Sequence, residues 1–284
     1  MARNNNIGRK FLSDLKLYSD YLKWDDDLGR YETWEEACDK VLETHYKRYG
    51  EKVVPYLNEV RESYHNKEFL ASQRNLQFRG EQILKHNAKM YNCCTAYAYS
   101  PDIFNKGFYI LLCGTGLGIN LRKKYVSQLP DIHKRGNDVK SFTIPDSIEG
   151  WAEAAKVLIS SYVKHPSLYD EYFGYQIKFD YSQIRPKGAL ITGGFRAPGP
   201  GGLKQSMERI ESLLNNYLGN SDSKEFKSII AYDIFMHLSD AVLSGGVRRS
   251  AMNIIMDAND EQLVNAKTGN WREKTPWRAR SNNS

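Results

Sequence analysis

Two stretches, CCTAYAYS at 93–100 and GFYILLCGTGLGINL at 107–121, decide the reading of the chain. The first is a strand-like run of small and aromatic residues. The second is a short apolar run, then glycines, then another apolar run. Downstream, GYQIKFDYSQI (174–184) alternates as a strand does, up to Pro186. TIPDSIEGWAEAAKVLISSYV (143–163) reads as a helix that Asp146 or Ser147 can cap. MERIESLLNNYL (207–218) and KEFKSIIAYDIFMHLSDAVL (224–243) carry amphipathic helical spacing, and SAMNIIM (250–256) reads as the final strand. Strands alternating with helices predict an α/β architecture with parallel pairing. The tail WREKTPWRARSNNS (271–284) is polar and adds no closing element, so SAMNIIM is expected at an open sheet edge in an interrupted chain.

Ahead of these stretches, residues 1–88 read as mostly helical. In YETWEEACDKVLETHYKRYG (31–50), Thr33 and Glu36 have capping-box spacing. Trp34, Ala37, Cys38, Val41 and Leu42 share one face, and Lys47 and Arg48 suit the helix C-terminus. The 284 residues are 41% hydrophobic and 26% charged, a globular composition long enough for a sizeable core. The net charge of +6 fits nucleotide or nucleic-acid binding without requiring it. The start MARNNNIGRK has no secretory apolar region, and no apolar run reaches transmembrane length, so a cytoplasmic protein with no membrane association is expected. Cys38, Cys93, Cys94 and Cys113 show no metal-ligand spacing and the six histidines are scattered, so no metal site is predicted.

Four stretches carry chemistry. CGTGLG (113–118) departs from G-x-G-x-x-G and no later acidic residue completes a dinucleotide site; close packing at a turn is the other reading. Cys93 and Cys94 open a strand, where neighbours face opposite sides, so one thiol can face a pocket while the other packs. Both can equally be small buried apolar residues. Arg185, Lys187 and Arg196 sit among glycines and prolines in QIRPKGALITGGFRAPGP (183–200), an arrangement suited to an anion and also to a solvated loop. SGGVRRS (244–250) sets Arg248 and Arg249 behind Gly245 and Gly246: either a helix stop with neutralising cations, or a mobile loop whose guanidinium groups reach a phosphate or a base.

Taken in order, ETWEEACDKV, SQRNLQFRG, NCC, GTGLGINL, LPDIHKRG, PDSIEGWAEAAKVLI, IRPKGALITGG, AVLSGGVRRSAMNI and RARSNNS resemble the N-terminal part of a ribonucleotide reductase catalytic subunit. The nearest likeness is to the monomeric, adenosylcobalamin-dependent (class II) ribonucleoside-triphosphate reductases. The resemblance implies an N-terminal helical domain (1–88) and the first half of a ten-stranded α/β barrel (89–284). Within that half, 130–180 is similar to an insertion that mimics a dimer partner, which favours a monomer. Cys93, after Asn92, matches the cysteine that gives electrons to the ribose, with Cys94 as the alternative thiol. Ser72, Asn92 and Cys93 are implied substrate contacts. Asp102, Arg185, Lys187, Arg196, Ser244, Gly245, Gly246, Arg248 and Arg249 are implied contacts of a deoxynucleoside-triphosphate effector, with 244–250 relaying the effector to the substrate base.

In this family a thiyl radical takes the ribose 3′ hydrogen, the 2′ hydroxyl leaves as water, and two thiols become a disulfide that a thioredoxin-like protein reduces. No N-P-C-G-E-like radical motif and no second reducing cysteine are recognisable here. The cobalamin contacts and that chemistry are therefore expected in a C-terminal half, in the same product or a second polypeptide, and the chain alone is expected to be inactive. The rival readings are a dehydrogenase built on CGTGLG and a basic α/β protein gripping nucleic acid through Arg248, Arg249 and NLRKKY (120–125). The reductase reading expects no nucleic-acid partner.

Overall fold

The computed structural model describes residues 2–191, 195–243 and 251–283. They form two compact units, Met1–Asn92 and Cys93–Ser284. In the first, α1 (Ala2–Asp20) is followed by a small hairpin of β1 (Trp24–Asp25) and β2 (Arg30–Tyr31), then α2 (Trp34–Tyr49), α3 (Val54–His65), α4 (Gln73–Phe78) and α5 (Glu81–Lys85). The capping box at Thr33 is formed: its hydroxyl accepts from the Glu36 amide at 3.2 Å, and the Glu36 carboxylate accepts from the Thr33 amide at 2.7 Å. Trp34, Cys38, Val41, Tyr64 and Leu76 make a small core, onto which Leu17 of α1 and Tyr21 just after it pack. Beside it Glu32 is buried between Arg79 and Lys40, and an Arg79 nitrogen donates to the Tyr21 carbonyl at 3.0 Å.

The second unit opens with β3 (Cys93–Tyr97), α6 (Ile103–Leu112) and β4 (Gly116–Asn120), then α7 (Lys123–Val126) and β5 (Ile132–His133). It continues through β6 (Val139–Thr143), α8 (Ile148–Tyr162), β7 (Gln176–Asp180), β8 (Leu190–Ile191), β9 (Phe195–Arg196), α9 (Gly201–Leu218), β10 (Ser223–Lys224) and α10 (Ser228–Leu243). It ends with β11 (Met252–Ile255), α11 (Glu261–Val264), α12 (Trp271–Lys274) and β12 (Ser281–Asn283). Ser147 caps α8, accepting from the Gly150 amide at 2.9 Å. β6 and β7 pair in parallel across α8, so much of 130–180 is a βαβ unit of its own.

The principal sheet is β3-β4-β11-β12, and every neighbouring pair in it is parallel. Its strands lie side by side in chain order, a singly wound arrangement. One face is packed: Cys94, Ala96, Leu117, Ile119, Met252 and Ile254 join the core shared with α6, α8, α9 and α10. Gly107 of α6 is where this packing is tightest. A Cβ there would meet Phe235 at 2.8 Å and Leu117 at 3.0 Å, so glycine lets α6 lie close to strand and helix together.

Two expectations are corrected. The CGTGLG run ends a helix and starts a strand: Gly114 (φ 81°) sits past α6, its amide donates to Leu111, and the Thr115 amide donates to Ile110. A phosphate-cradling glycine loop leads from a strand into a helix, so its amides point at the anion. This turn runs the opposite way, and the dinucleotide reading fails on that ground. Nor is SAMNIIM the last strand. Ser281, Asn282 and Asn283 pair with Met252, Asn253 and Ile254, placing β11 inside the sheet and β12 at its edge. β12 has no apolar pattern because α10 holds it with polar groups. The Tyr232 hydroxyl lies 3.0 Å from Ser281 Oγ, and just upstream Arg278 (2.8 and 2.7 Å) and Trp277 Nε1 (2.9 Å) donate to the buried Asp233.

Candidate functional site

Parallel sheets are ordinarily covered on both faces. Here the second face of the principal sheet is open. Successive side chains of a strand alternate, so Cys93, Thr95 and Tyr97 all point to this side, and all three are exposed. Register extends the face across the sheet: Cys93 lies beside Gly116, and Thr95, Gly118, Asn253 and Asn282 form one row. Gly118 keeps the row shallow, since a Cβ there would sit 3.1 Å from the Thr95 methyl. The result is a polar trough with a glycine floor and a thiol at its N-terminal end.

The two neighbouring thiols differ as the alternation requires. Cys93 is exposed on the open face; Cys94 is half-buried against the core. Burial, with the adjacent Cys93 adding to it, raises the Cys94 thiol pKa above its ordinary value. Cys38 and Cys113 are buried, and none of the four cysteines is disulfide-bonded.

The strands' C-terminal ends carry aromatic and cationic groups; Arg122, Lys124 and Tyr125 belong to the NLRKKY stretch of the nucleic-acid reading, whereas Tyr97 carried no such expectation. Tyr97 packs on Tyr125 (ring centroids 4.8 Å), and Lys124 lies 4.8 Å from the Tyr125 ring. Asn120 Oδ1 accepts from Arg122 through its amide and its Nε, both at 3.2 Å, which turns the chain at the end of β4. The only sequence signal for Thr95 and Tyr97 is their two-residue spacing from Cys93. Asn253 and Asn282 become visible only once register is known.

The expected substrate contacts fall in both units. Ser72 precedes α4 without capping it by its side chain, and Asn92 Oδ1 accepts from Arg74 Nε at 2.9 Å, both within the first unit. Cys93 opens the second.

Of the expected effector contacts, Lys187 and Arg196 are exposed at the base of the β8–β9 hairpin, where Arg196 donates to the Gly188 carbonyl at 2.9 Å. The hairpin needs glycine at its base: Gly199 (φ 72°) leaves no room for a Cβ against the Lys187 backbone, at 2.8 Å. Arg185 is already engaged by Asp146, beside the α8 N-terminus. Asp102 accepts from Ser100 at 2.7 Å and pairs with Lys106 at 2.5 Å. Burial acts to raise its carboxyl pKa, but these two partners outweigh it and hold the pKa below its ordinary value. Ser244, Gly245, Gly246, Arg248 and Arg249 lie outside the described residues. Among the described residues, no helix is long and apolar enough to cross a membrane, and no cluster of histidine, cysteine and carboxylate groups could hold a metal ion.

No protein-family model matches the chain. It is similar to an adenosylcobalamin-dependent ribonucleoside-triphosphate reductase from Lacticaseibacillus paracasei, 26% identical over 87% of this chain and 41% of that protein. A putative enzyme of the same description from Mycobacterium phage D29 is 24% identical over 83% of this chain and 38% of its own length. A probable one from Dictyostelium discoideum is 33% identical over 44% of this chain and 15% of its own. In fold, the crystal structure of a B-12 dependent (class II) ribonucleotide reductase matches 95% of this chain and 45% of that one, with a TM-score of 0.78 at 21% identity. The chain is thus similar over most of its length to adenosylcobalamin-dependent ribonucleoside-triphosphate reductases and shares the fold of a class II ribonucleotide reductase, while spanning about two-fifths of the length of the curated relatives it matches.

Proposed function

We propose that this chain is the part of a ribonucleotide reductase that carries the helical region (1–88), the first half of the α/β barrel (89–284) and the effector insertion (130–180). Cys93 is its reducing thiol. The observation that carries the reading is the exposed Cys93 on the open face of a singly wound parallel sheet whose other face is packed. In-order parallel strands with helices on one side are what a barrel wall requires, and the open face is then the barrel interior.

The chemistry follows from one thiol. Replacing the ribose 2′ hydroxyl by hydrogen consumes two electrons and two protons and releases water. Two thiols supply them and become a disulfide. Among the described residues Cys93 has no fellow cysteine on its face: Cys94 packs the other way, and Cys38 and Cys113 are buried. The second thiol therefore comes from a second barrel half, and a thioredoxin-like protein renews the pair. Ribonucleoside triphosphates are the proposed substrates. Thr95, Asn253 and Asn282 supply the polar row over which the ribose would lie.

Adenosylcobalamin supplies the radical when bound to such enzymes. The residues described here do not fit it: a radical-bearing thiol must face the cofactor, and the two cysteines other than the Cys93–Cys94 pair are fully buried.

A deoxynucleoside triphosphate is the proposed effector, held by Arg185, Lys187 and Arg196 with the 244–250 segment. The test has two arms. Titration with deoxynucleoside triphosphates should show saturable binding that Arg185→Ala weakens, whereas an oligonucleotide bound with a steep salt dependence and no triphosphate preference would favour a nucleic-acid-binding protein. Deoxyribonucleotide formation should need a completing polypeptide and be lost in Cys93→Ser but kept in Cys94→Ser. Turnover by the chain alone would overturn the reading.

A further inference from the structure

We propose that Lys23 takes up carbon dioxide as a carbamate, within a cation-rich cluster of the first unit. This does not rest on the reductase reading. The cluster is built round Glu32, which is 2% exposed and lies next to the β1–β2 hairpin. Both of its carboxylate oxygens are engaged. Oε1 accepts from the Lys23 amide at 2.7 Å and pairs with Arg79, while Oε2 accepts from Lys40 Nζ at 3.0 Å. The Lys23 carbonyl in turn accepts from the Glu32 amide at 3.0 Å, so backbone bonds hold Lys23 beside this carboxylate.

Three cationic side chains thus gather round one carboxylate. Lys40 and Arg79 pair with it; the ammonium of the half-buried Lys23 has no hydrogen-bond or ion-pair partner among the described residues. Arg79, 4% exposed, belongs to the SQRNLQFRG stretch (72–80). Its Nη1 donates to the Tyr21 carbonyl at 3.0 Å and to the Leu76 carbonyl, but its buried Nε finds no acceptor. Buried donors are ordinarily satisfied, and buried charge is ordinarily matched. What the cluster lacks is a second anion with an oxygen to offer.

A carbamate supplies that anion from the lysine itself. The neutral Lys23 amine attacks the carbon of carbon dioxide. A nitrogen–carbon bond forms, one carbon–oxygen π pair moves onto oxygen, and an amine proton leaves to water; nothing is oxidised or reduced. The side chain passes from one positive charge to one negative charge, so three cations and one anion become two of each. The new oxygens are then acceptors for Arg79 Nε and Lys40 Nζ. An acyl group on the same amine would cancel one charge and bring no anion. The step needs a neutral amine, and the cluster favours one: burial first, then the charges of Arg79 and Lys40, lower the Lys23 pKa to about 8. At pH 7 roughly a tenth of such amines are neutral, a few hundred times the share in an ordinary lysine.

The experiment incubates the full chain with isotopically labelled bicarbonate near neutral pH. Triethyloxonium then ethylates the carbamate oxygen and fixes the group for peptide mass spectrometry. Label is expected at Lys23 at least about tenfold above that at exposed lysines. Lys40→Gln should cut the Lys23 label several-fold, because it removes a cation that both favours the neutral amine and faces the carbamate. Bicarbonate should also raise the thermal midpoint relative to chloride at equal ionic strength, and Lys23→Arg, which keeps the charge but not the nucleophile, should abolish that rise. Lys23 left unlabelled, or labelled no more than exposed lysines, would overturn the proposal. So would a bicarbonate shift that Lys23→Arg retains, which would mark an anion bound without a covalent bond.

Discussion

Cys93 and Cys94 are bonded neighbours that live on opposite faces of one strand, the first in the open trough and the second against the core. Their reactivities should separate accordingly. Under brief alkylation at neutral pH, Cys93 should be modified at least about tenfold faster than Cys94, whose thiolate is disfavoured by burial and by its neighbour. Cys38, whose pKa burial pushes up to about 12, should stay unmodified until the chain unfolds. Peptide mass spectrometry reads all of these; equal labelling of Cys93 and Cys94 would contradict the face assignment.

Gly107→Ala should destabilise the second unit although alanine is the better helix former by about 1 kcal/mol. Its methyl would press on Phe235 and Leu117 at once. Overpacking of this kind costs roughly 1–3 kcal/mol, enough to cancel or exceed the propensity gain. Urea denaturation decides the sign: a stabilised variant would mean that α6 has slack against the sheet.

Asp233→Ala should loosen β12. It leaves the largely buried Arg278 guanidinium without its carboxylate and removes the acceptor of Trp277. Breaking one side of such a pair costs about 3–5 kcal/mol. Hydrogen exchange should quicken at 281–283 before it does so at β3, and uniform quickening would argue against a local latch.

His237 gives the fold an acid-sensitive point. Burial lowers its pKa to about 4, an effect only partly opposed by Asp233 and Asp240 and reinforced by Arg209 and Arg278. Its ring packs on Trp277 at 4.9 Å. The unfolded chain takes a proton near pH 6.5 and the folded chain only near 4, so stability is full above about 6.5 and falls as the pH drops toward 4. The loss is about 3 kcal/mol. His237→Phe should remove that part of the pH dependence, read as the difference between the two chains' denaturation midpoints at pH 7 and pH 4.5.

If Arg185 serves an effector, Asp146 competes with that ligand for the same guanidinium. Asp146→Asn should then tighten deoxynucleoside-triphosphate binding several-fold, by the loss of a pair worth up to about 1 kcal/mol at the surface. Weaker binding in calorimetry would place the effector away from Arg185.

Much of this was legible because the local signals agreed with the packing. Thr33 and Glu36 announce α2, Ser147 announces α8, and the period-two pattern from Cys93 announces β3, each through interactions within a few residues. What escaped reading depends on distant partners. Ser281–Asn283 is a strand only because Tyr232 satisfies its hydroxyl and because Trp277 and Arg278, just before it, dock on Asp233; nothing in the letters SNN says so. Gly114 and Gly116 announce a turn, but whether that turn leaves or enters a strand depends on the run before it, and FYILL folds as the end of a helix. The row Thr95, Gly118, Asn253 and Asn282 is spread over four strands and assembles only through register.

The in-order sheet also constrains how the chain reaches its native state. Leu117 and Met252 are adjacent in the sheet, yet the whole of 121–251, with its own βαβ unit, lies between them in sequence. Closing so long a loop is entropically costly, and contacts of high sequence separation slow folding. β3–α6–β4 and β6–α8–β7 can each form from nearby residues, whereas the seam between β4 and β11 must wait for both. Refolding of the second unit is thus expected to be hierarchical: Cys93 gains its strand early, and its trough acquires a far side only when the last seam closes.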